Sequence, residues 1–302
     1  QTQDADWQRT GIESARRQVD RFYSFANSVI ESGKRADLST ELKQIDHWIL
    51  SRIQNYIRDT NAALYSIQTR EAIQNSFFLL QNDVKWYQRR GGETLLYYVL
   101  DNWVRLMSPF TPHLCEEIWE AMGHKDPISL AQYPLYNEDL IDDGAELAEE
   151  MIKGTLEDVE EIIRVTKMTP QKVHLYTAPA WKAEAIRCAC EMQLECSLEV
   201  GTLIKKLMAN PDLKRFGKEI PKFVQKIVPE FKSGSADRYE ILTGPNIDEK
   251  TLLKDSISFL EKEIGCLVEV HSADSPAFDP EKKSRFAEPL RPAIYIEEKK
   301  EE

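Results

Sequence analysis

Apolar residues recur at a helical period through most of the first 137 residues, broken by short polar or glycine-bearing segments. Val19, Phe22, Tyr23 and Phe25 mark a first helix over about Thr10–Ser32. Ile45, Trp48, Ile49, Ile53, Tyr56, Ile57 and Leu64 mark a second, from a serine cap at Ser39 to about Ser66. Ile73, Phe77, Phe78, Leu80, Val84 and Trp86 mark a third over Thr69–Arg90, stopped by Gly91-Gly92. A fourth carries Leu95, Leu96, Val99, Leu100, Trp103, Val104, Leu106 and Met107. Pro109 has no amide hydrogen and pushes its predecessor out of the helical region, so this helix ends near Ser108. Thr111-Pro112 restarts the chain at once, with the threonine hydroxyl as cap and proline at the first helical position. Leu114, Ile118 and Trp119 then face inward until Gly123. Five helices joined by short turns predict an antiparallel all-α bundle over residues 1–137.

An acidic helix over about 139–167 follows, with Leu147, Met151, Ile152, Leu156, Val159, Ile162 and Ile163 as a docking stripe and its charges as a solvated face. Residues 138–170 are therefore read as a connector. Beyond them the period changes. Lys172–Tyr176 reads as a strand, Ala180–Cys196 as a helix, and 199–231 as two or three basic helices broken at Pro211 and Pro221. Tyr239–Leu242 is strand-like, Glu249–Ile264 is a helix, Leu267–Val270 is a strand, and 292–297 closes the sheet. Strands separated by helices predict a small α/β domain with a helical insertion over 171–302.

With 302 residues, 42% hydrophobic and 30% charged, the chain fits a multi-domain globular protein. No apolar run reaches membrane-spanning length, and no basic-plus-apolar signal pattern opens the chain. The start QTQDADW, without methionine, points to a segment of a longer or processed chain. Five cysteines without a secreted-type framework point to reduced thiols and a cytoplasmic location. The net charge of −12 argues against indiscriminate nucleic-acid binding, but it is unevenly spread. Residues 1–137 balance at −2, 138–170 at −8 and 171–302 at −2, while 201–234 hold eight cations against three acids. A basic island on an acidic protein is a selective electrostatic footprint.

No catalytic constellation can be assembled. There is no phosphate-binding glycine loop. Cys188 and Cys190 lie two apart on a helix, so their thiols diverge; with Cys196 they read as plain thiols, not as metal ligands. Glu116 and Glu117 are helix neighbours that cannot face one another as an acid/base pair. His113 reads as a surface or capping contact and His47 as helix packing. Two basic features do carry binding chemistry. Tyr87, Arg89 and Arg90 close the third helix, where cations complement the helix dipole and could equally clamp phosphates, with Tyr87 stacking or donating a hydrogen bond. Lys205, Lys206, Lys214, Arg215, Lys218, Lys222 and Lys226 form the island, four of its lysines at regular four-residue spacing across the break at Pro221. Lysine binds phosphate as a point charge, so the island supplies affinity and salt dependence rather than base identity. Lys282, Lys283, Arg285 and Arg291 are a third patch, which also reads as a solvated segment.

The stretch SPFTPHLCEEIWEAMG resembles the P-F-x-P-x-x-x-E-E-x-W-x-x-x-G signature in the helical tRNA-binding bundle of class Ia aminoacyl-tRNA synthetases. DADWQRTGIESARRQVDRFYSFA resembles the segment entering that bundle in archaeal and eukaryotic-cytosolic leucyl-type enzymes. NDVKWYQRR and FDPEKKSRFAEPLRPAIYIE resemble further leucyl-type stretches, so the resemblance covers essentially the whole chain. It implies a five-helix bundle along a tRNA stem and a C-terminal domain near the long variable arm of tRNA(Leu), with the corner at 108–112 as a structural hinge. It also implies a parent that ligates leucine to tRNA with ATP and Mg2+. The H-I-G-H motif is missing here, no editing domain is present, and Lys167-Met-Thr-Pro-Gln171 only superficially resembles K-M-S-K-S. The expected partners are therefore tRNA(Leu) and the catalytic and editing domains of the same polypeptide, with no membrane and no obligate oligomer. The expectation for this chain alone is no catalysis and no cofactor. Three other readings stay open: the tRNA-binding portion of a valyl- or isoleucyl-type synthetase, an independent tRNA-binding protein derived from a synthetase, and a non-catalytic helical scaffold that contacts only protein.

Overall fold

The computed structural model describes residues 9–35, 38–39, 41–233, 247–274 and 276–299. Backbone contacts divide the chain into two units, Gln1–Glu146 and Leu147–Glu302.

The first unit is the helical bundle. Its elements are α1 (Arg9–Ser32), α2 (Gln44–Tyr65), α3 (Thr69–Ile73), α4 (Leu80–Arg89), α5 (Leu96–Met107) and α6 (Pro112–Ala121). A π-helical turn, Gln74–Leu79, carries α3 straight into α4, so the predicted third helix exists with one widened turn. The widening lets Ala72, Phe77, Leu80, Val84 and Tyr87 all reach the interior. At the centre, Trp103 of α5 packs on Phe22 (4.6 Å between ring centroids), Phe25 (5.6 Å) and Phe77 (6.4 Å). Helix α2 is buried along much of its length and starts at Gln44, later than the predicted serine cap at Ser39. The residue that organises this start is Asp46, whose carboxylate accepts the Lys43 amide at 2.9 Å. His47, expected to pack, is exposed.

The corner between α5 and α6 explains its own sequence. Both Phe110 and Thr111 amides return to the Met107 carbonyl, at 2.9 and 3.0 Å, closing α5 before Pro109 can interrupt it. Thr111 occupies the cap position, but its hydroxyl faces Met107 O (3.4 Å) and Cys115 Sγ (3.3 Å), so it does not cap free amides as predicted. The charged-then-aromatic run beyond it ties three neighbours to α6. Glu116 accepts the Ile128 amide at 3.0 Å, Glu117 accepts the Tyr23 hydroxyl at 2.6 Å, and Trp119 Nε1 donates to the Asp126 carbonyl at 3.0 Å. Gly123 ends the segment in the left-handed region (φ 96°), which a side chain would disfavour.

The acidic helix α7 (Asp143–Thr166) contains the division between the units. Its charges are not all solvated, contrary to the reading above. Glu146 accepts from Ser51 (2.5 Å), Asn55 (2.6 Å) and Arg52 (3.0 Å), and Glu149 is buried. Arg52 also meets Asp83 at 2.8 Å, so a half-buried ion cluster links α2, α4 and the first turn of α7.

The second unit holds β1 (Pro170–Thr177), α8 (Ala180–Leu194), α9 (Val200–Ala209), a 3-10 turn (Pro211–Phe216), α10 (Ile220–Lys232), α11 (Glu249–Asp255), α12 (Ile257–Ile264), β2 (Leu267–Ser272) and β3 (Ala293–Glu298). The sheet order is β2-β1-β3, with β2 parallel and β3 antiparallel to β1. His174 pairs with Glu269 on one side and Tyr295 on the other. The helical insertion has its own core: Trp181, Ile186 and Ala189 of α8 meet Leu203 and Leu207 of α9 and Ile220, Phe223, Val224, Ile227 and Phe231 of α10. Pro211 and Pro221 stand at helix starts, where no amide is needed. The helix predicted over 249–264 is interrupted at Ser256, which is buried. The strand predicted at Tyr239–Leu242 lies outside the described residues.

Candidate nucleic-acid interface

The island of cations lies on three consecutive short elements of the helical insertion. Their apolar sides are fixed by the core just described, and their cations are left on the outside. Lys205 and Lys206 are on α9, Lys214 and Arg215 on the 3-10 turn, Lys218 in the turn after it, and Lys222 and Lys226 on α10. All seven are exposed. The regular four-residue spacing therefore does not make one helical ridge; it runs across a 3-10 turn, a bend and the start of α10.

Two of the seven are already matched by carboxylates. Lys206 meets Glu191 at 2.9 Å, which raises its pKa, chiefly through that hydrogen bond. Lys226 pairs with Glu288. Arg215 lies over the Phe216 ring at 4.7 Å. Among the described residues, Lys205, Lys214, Lys218 and Lys222 have no carboxylate partner. An unneutralised set of ammonium groups on a well-packed helical base is the arrangement that attracts a polyanion.

The bundle patch divides differently. Arg89 is exposed near the end of α4, 5.5 Å from the Trp86 ring, and Arg90 follows at the helix end, half-buried. Tyr87 does not join them. It is wholly buried: its hydroxyl donates to Asp46 and accepts the Leu95 amide at 3.1 Å. Burial first, and then the Asp46 contact, push its phenol well above the usual tyrosine range. The expectation that Tyr87 stacks on or bonds to RNA is therefore overturned; it is an internal strut. The helical period alone could have shown this, because Tyr87 follows Leu80 and Val84 on the same face.

In the third patch, Lys283 pairs with Glu281 at 3.4 Å and Arg291 with Asp158 at 3.2 Å, while Lys282 is exposed with a left-handed backbone (φ 55°). Arg285 lies 4.6 Å over the Phe286 ring. Two of these four cations are thus drawn toward carboxylates of the same unit.

Lys167-Met-Thr-Pro-Gln171 ends α7, with Lys167 at φ 58°, and enters β1 at Pro170. It is the junction of a helix and a strand rather than a free loop. Cys188 is buried, and burial raises its thiol pKa. Two features escaped the sequence reading. Lys182 is buried and donates to the Arg285 and Ala287 carbonyls at 2.8 and 2.6 Å. His174 of β1 meets Glu269 and His271 of β2. The available signal for the latter was alternation, since K-V-H-L-Y and V-E-V-H both put polar groups at every second position.

A helical bundle followed by a small α/β unit with a helical insertion defines the architecture, and comparison with known proteins narrows the class. Residues 46–175 match the family described as the anticodon-binding domain of tRNA ligase. Across all 302 residues the chain is 94% identical to the leucine--tRNA ligase of Methanosarcina barkeri, covering 31% of that protein. It is 36% identical to the leucine--tRNA ligase of Pyrococcus abyssi over 97% of the chain and 29% of that protein. A structural likeness to the Agrobacterium radiobacter K84 LeuRS of a ternary complex with tRNA and LeuAMS covers 46% of this chain and 18% of that one, at 23% identity and a TM-score of 0.40. The chain thus corresponds to a segment of the archaeal leucine--tRNA ligases, matched along essentially its whole length, with residues 46–175 as the anticodon-binding domain, and it spans less than a third of the length of these relatives. Among the described residues, no helix is long and apolar enough to cross a membrane.

Proposed function

We propose that this chain is the tRNA-binding C-terminal part of a leucine--tRNA ligase and positions tRNA(Leu) for leucylation by a catalytic region elsewhere in the polypeptide. The observation that carries the reading is the set Lys205, Lys214, Lys218 and Lys222, exposed and without carboxylate partners among the described residues, on an otherwise acidic chain. Bound to phosphates, these groups release condensed counterions, which gives affinity and a strong salt dependence. Arg89 and Arg90 at the end of α4 add a second set of contacts, to the stem. The long variable arm of tRNA(Leu) is the element the second unit would contact. ATP and Mg2+ belong to the catalytic region, and the working location is the cytoplasm.

The test is binding of the chain to tRNA(Leu) and to the same tRNA with its variable arm shortened, over a series of salt concentrations. A preference for the intact tRNA, with a log–log salt slope of several units, supports the reading. Equal affinity for both removes variable-arm recognition from it. Absence of binding even at low salt overturns it in favour of a protein-only scaffold.

A further inference from the structure

One face of the sheet in the second unit is polar where a sheet covered on that face is ordinarily apolar. Along β1 it carries Lys172, His174 and Tyr176, and along β2 Glu269 and His271, brought together by the parallel register. The segment bearing Phe278 covers it. The Phe278 ring lies 4.8 Å from that of His174, and the Tyr176 hydroxyl donates to the Phe278 carbonyl at 2.8 Å. His174 is left 2% exposed, the His271 side chain is 11% exposed, and the Glu269 side chain, at 47%, opens the group to solvent on one side.

Three donor atoms converge there. Nδ1 of His174 and Nε2 of His271 are 3.0 Å apart, and Oε2 of Glu269 is 3.5 Å from each. A tetrahedral zinc ion with ligand bonds of about 2.0–2.1 Å holds its donors roughly 3.3–3.4 Å apart, so this triangle is one face of such a tetrahedron to within a few tenths of an ångström. The surroundings complete the arrangement. Lys172 engages the other oxygen of Glu269, leaving Oε2 as a single-oxygen donor. Nε2 of His174 is buried without a hydrogen-bond partner, 3.6 Å from Oε1 of Glu297 on β3. That is where an outer carboxylate stands when it orients a metal-bound imidazole. Without metal, only one proton can lie between the two facing nitrogens. With metal, both lone pairs are used, and the ring protons sit on Nε2 of His174 and Nδ1 of His271.

We infer that His174, Glu269 and His271 form a binding site for a divalent transition-metal ion of the zinc class, clipping β2 to β1. Two imidazoles and one carboxylate select such an ion over calcium or magnesium, which favour all-oxygen sets. The fourth position is left for water. The site stands apart from the cations of the helical insertion, and its test does not depend on tRNA binding.

The full chain, stripped with chelator, is titrated with Co2+ and then Zn2+. The expected result is one Co2+ per chain, with the visible absorption of a tetrahedral site and no thiolate charge-transfer band, displaced by Zn2+. Glu269→Gln and His271→Ala should each abolish that spectrum, Glu297→Gln should weaken Zn2+ binding about 10–100-fold, and Cys196→Ser with Cys266→Ser should leave it unchanged. Far-ultraviolet circular dichroism verifies that each variant is folded. Failure to bind one equivalent overturns the site, as does binding that survives Glu269→Gln and His271→Ala or disappears with the cysteines.

Discussion

Tyr87 shows how a single residue can be misjudged by its company. It stands beside Lys85, Arg89 and Arg90 and looks like part of a phosphate clamp, yet its hydroxyl is committed to Asp46 and the Leu95 amide. The same ring explains Gly92. A methyl group at Gly92 would lie 2.1 Å from the Tyr87 ring, which cannot retreat without breaking both of its bonds. Gly92→Ala is therefore expected to cost roughly 2–3 kcal/mol of overpacking, read as a lower midpoint in denaturant unfolding. Tyr87→Phe should lower stability as well, since Asp46 and the Leu95 amide would both lose a partner in the interior. The glycine pair was legible in the sequence as a helix end. The reason for its second member was not, because that reason is a ring five residues back whose position depends on a carboxylate 41 residues away.

At the scale of elements, periodicity served well where one face is buried and the other solvated. The bundle helices, β1, α8 and β3 all fall close to their predicted positions. It failed where a polar group inside the fold sets a boundary, as Asp46 does for α2, or where backbone geometry changes within an apolar run, as in the turn between α3 and α4. The candidate interface was legible as a cluster of cations, but which of them stay unpaired depends on Glu191 and Glu288, distant in sequence. Glu249 makes a further case. In the first turn of α11 it accepts the Leu290 amide at 2.8 Å and the Ala178 amide at 3.2 Å. Burial outweighs these bonds and raises its pKa above the ordinary glutamate value. The folded state then holds a proton that the unfolded state has released. The contribution of Glu249 to stability thus falls as pH rises from the unfolded value, about 4.3, through the raised folded one. Thermal unfolding across that window should show Glu249→Gln losing part of this decline, with the gap between variant and parent changing as pH rises.

For the whole molecule, the distribution of charge matters more than its sum. A chain at −12 repels a polyanion at long range, so any binding must come from a local excess within a Debye length. Lys214, Lys218 and Lys222 are exposed and hold none of the core in place, which makes them separable from folding. Replacing all three by alanine should reduce the log–log salt slope for tRNA(Leu) binding by about 2–3 units, with thermal stability little changed. A slope that stays the same would move the contact surface elsewhere, to the end of α4 or to the segment around Lys282.

The sheet has one more implication, for the order in which the second unit is made. Its central strand, β1, is the first to leave the ribosome, yet both of its neighbours lie about 95 residues or more further on. Until then β1 has no partner along either edge, while α8, α9 and α10, close together in sequence, can assemble on their own core. The helices are thus the early-forming part, and sheet closure is the slow, late step. Ending translation before β3 would strand β1 with an open edge, so a nascent chain stalled there should be more readily captured by chaperones than one stalled after β3 has emerged.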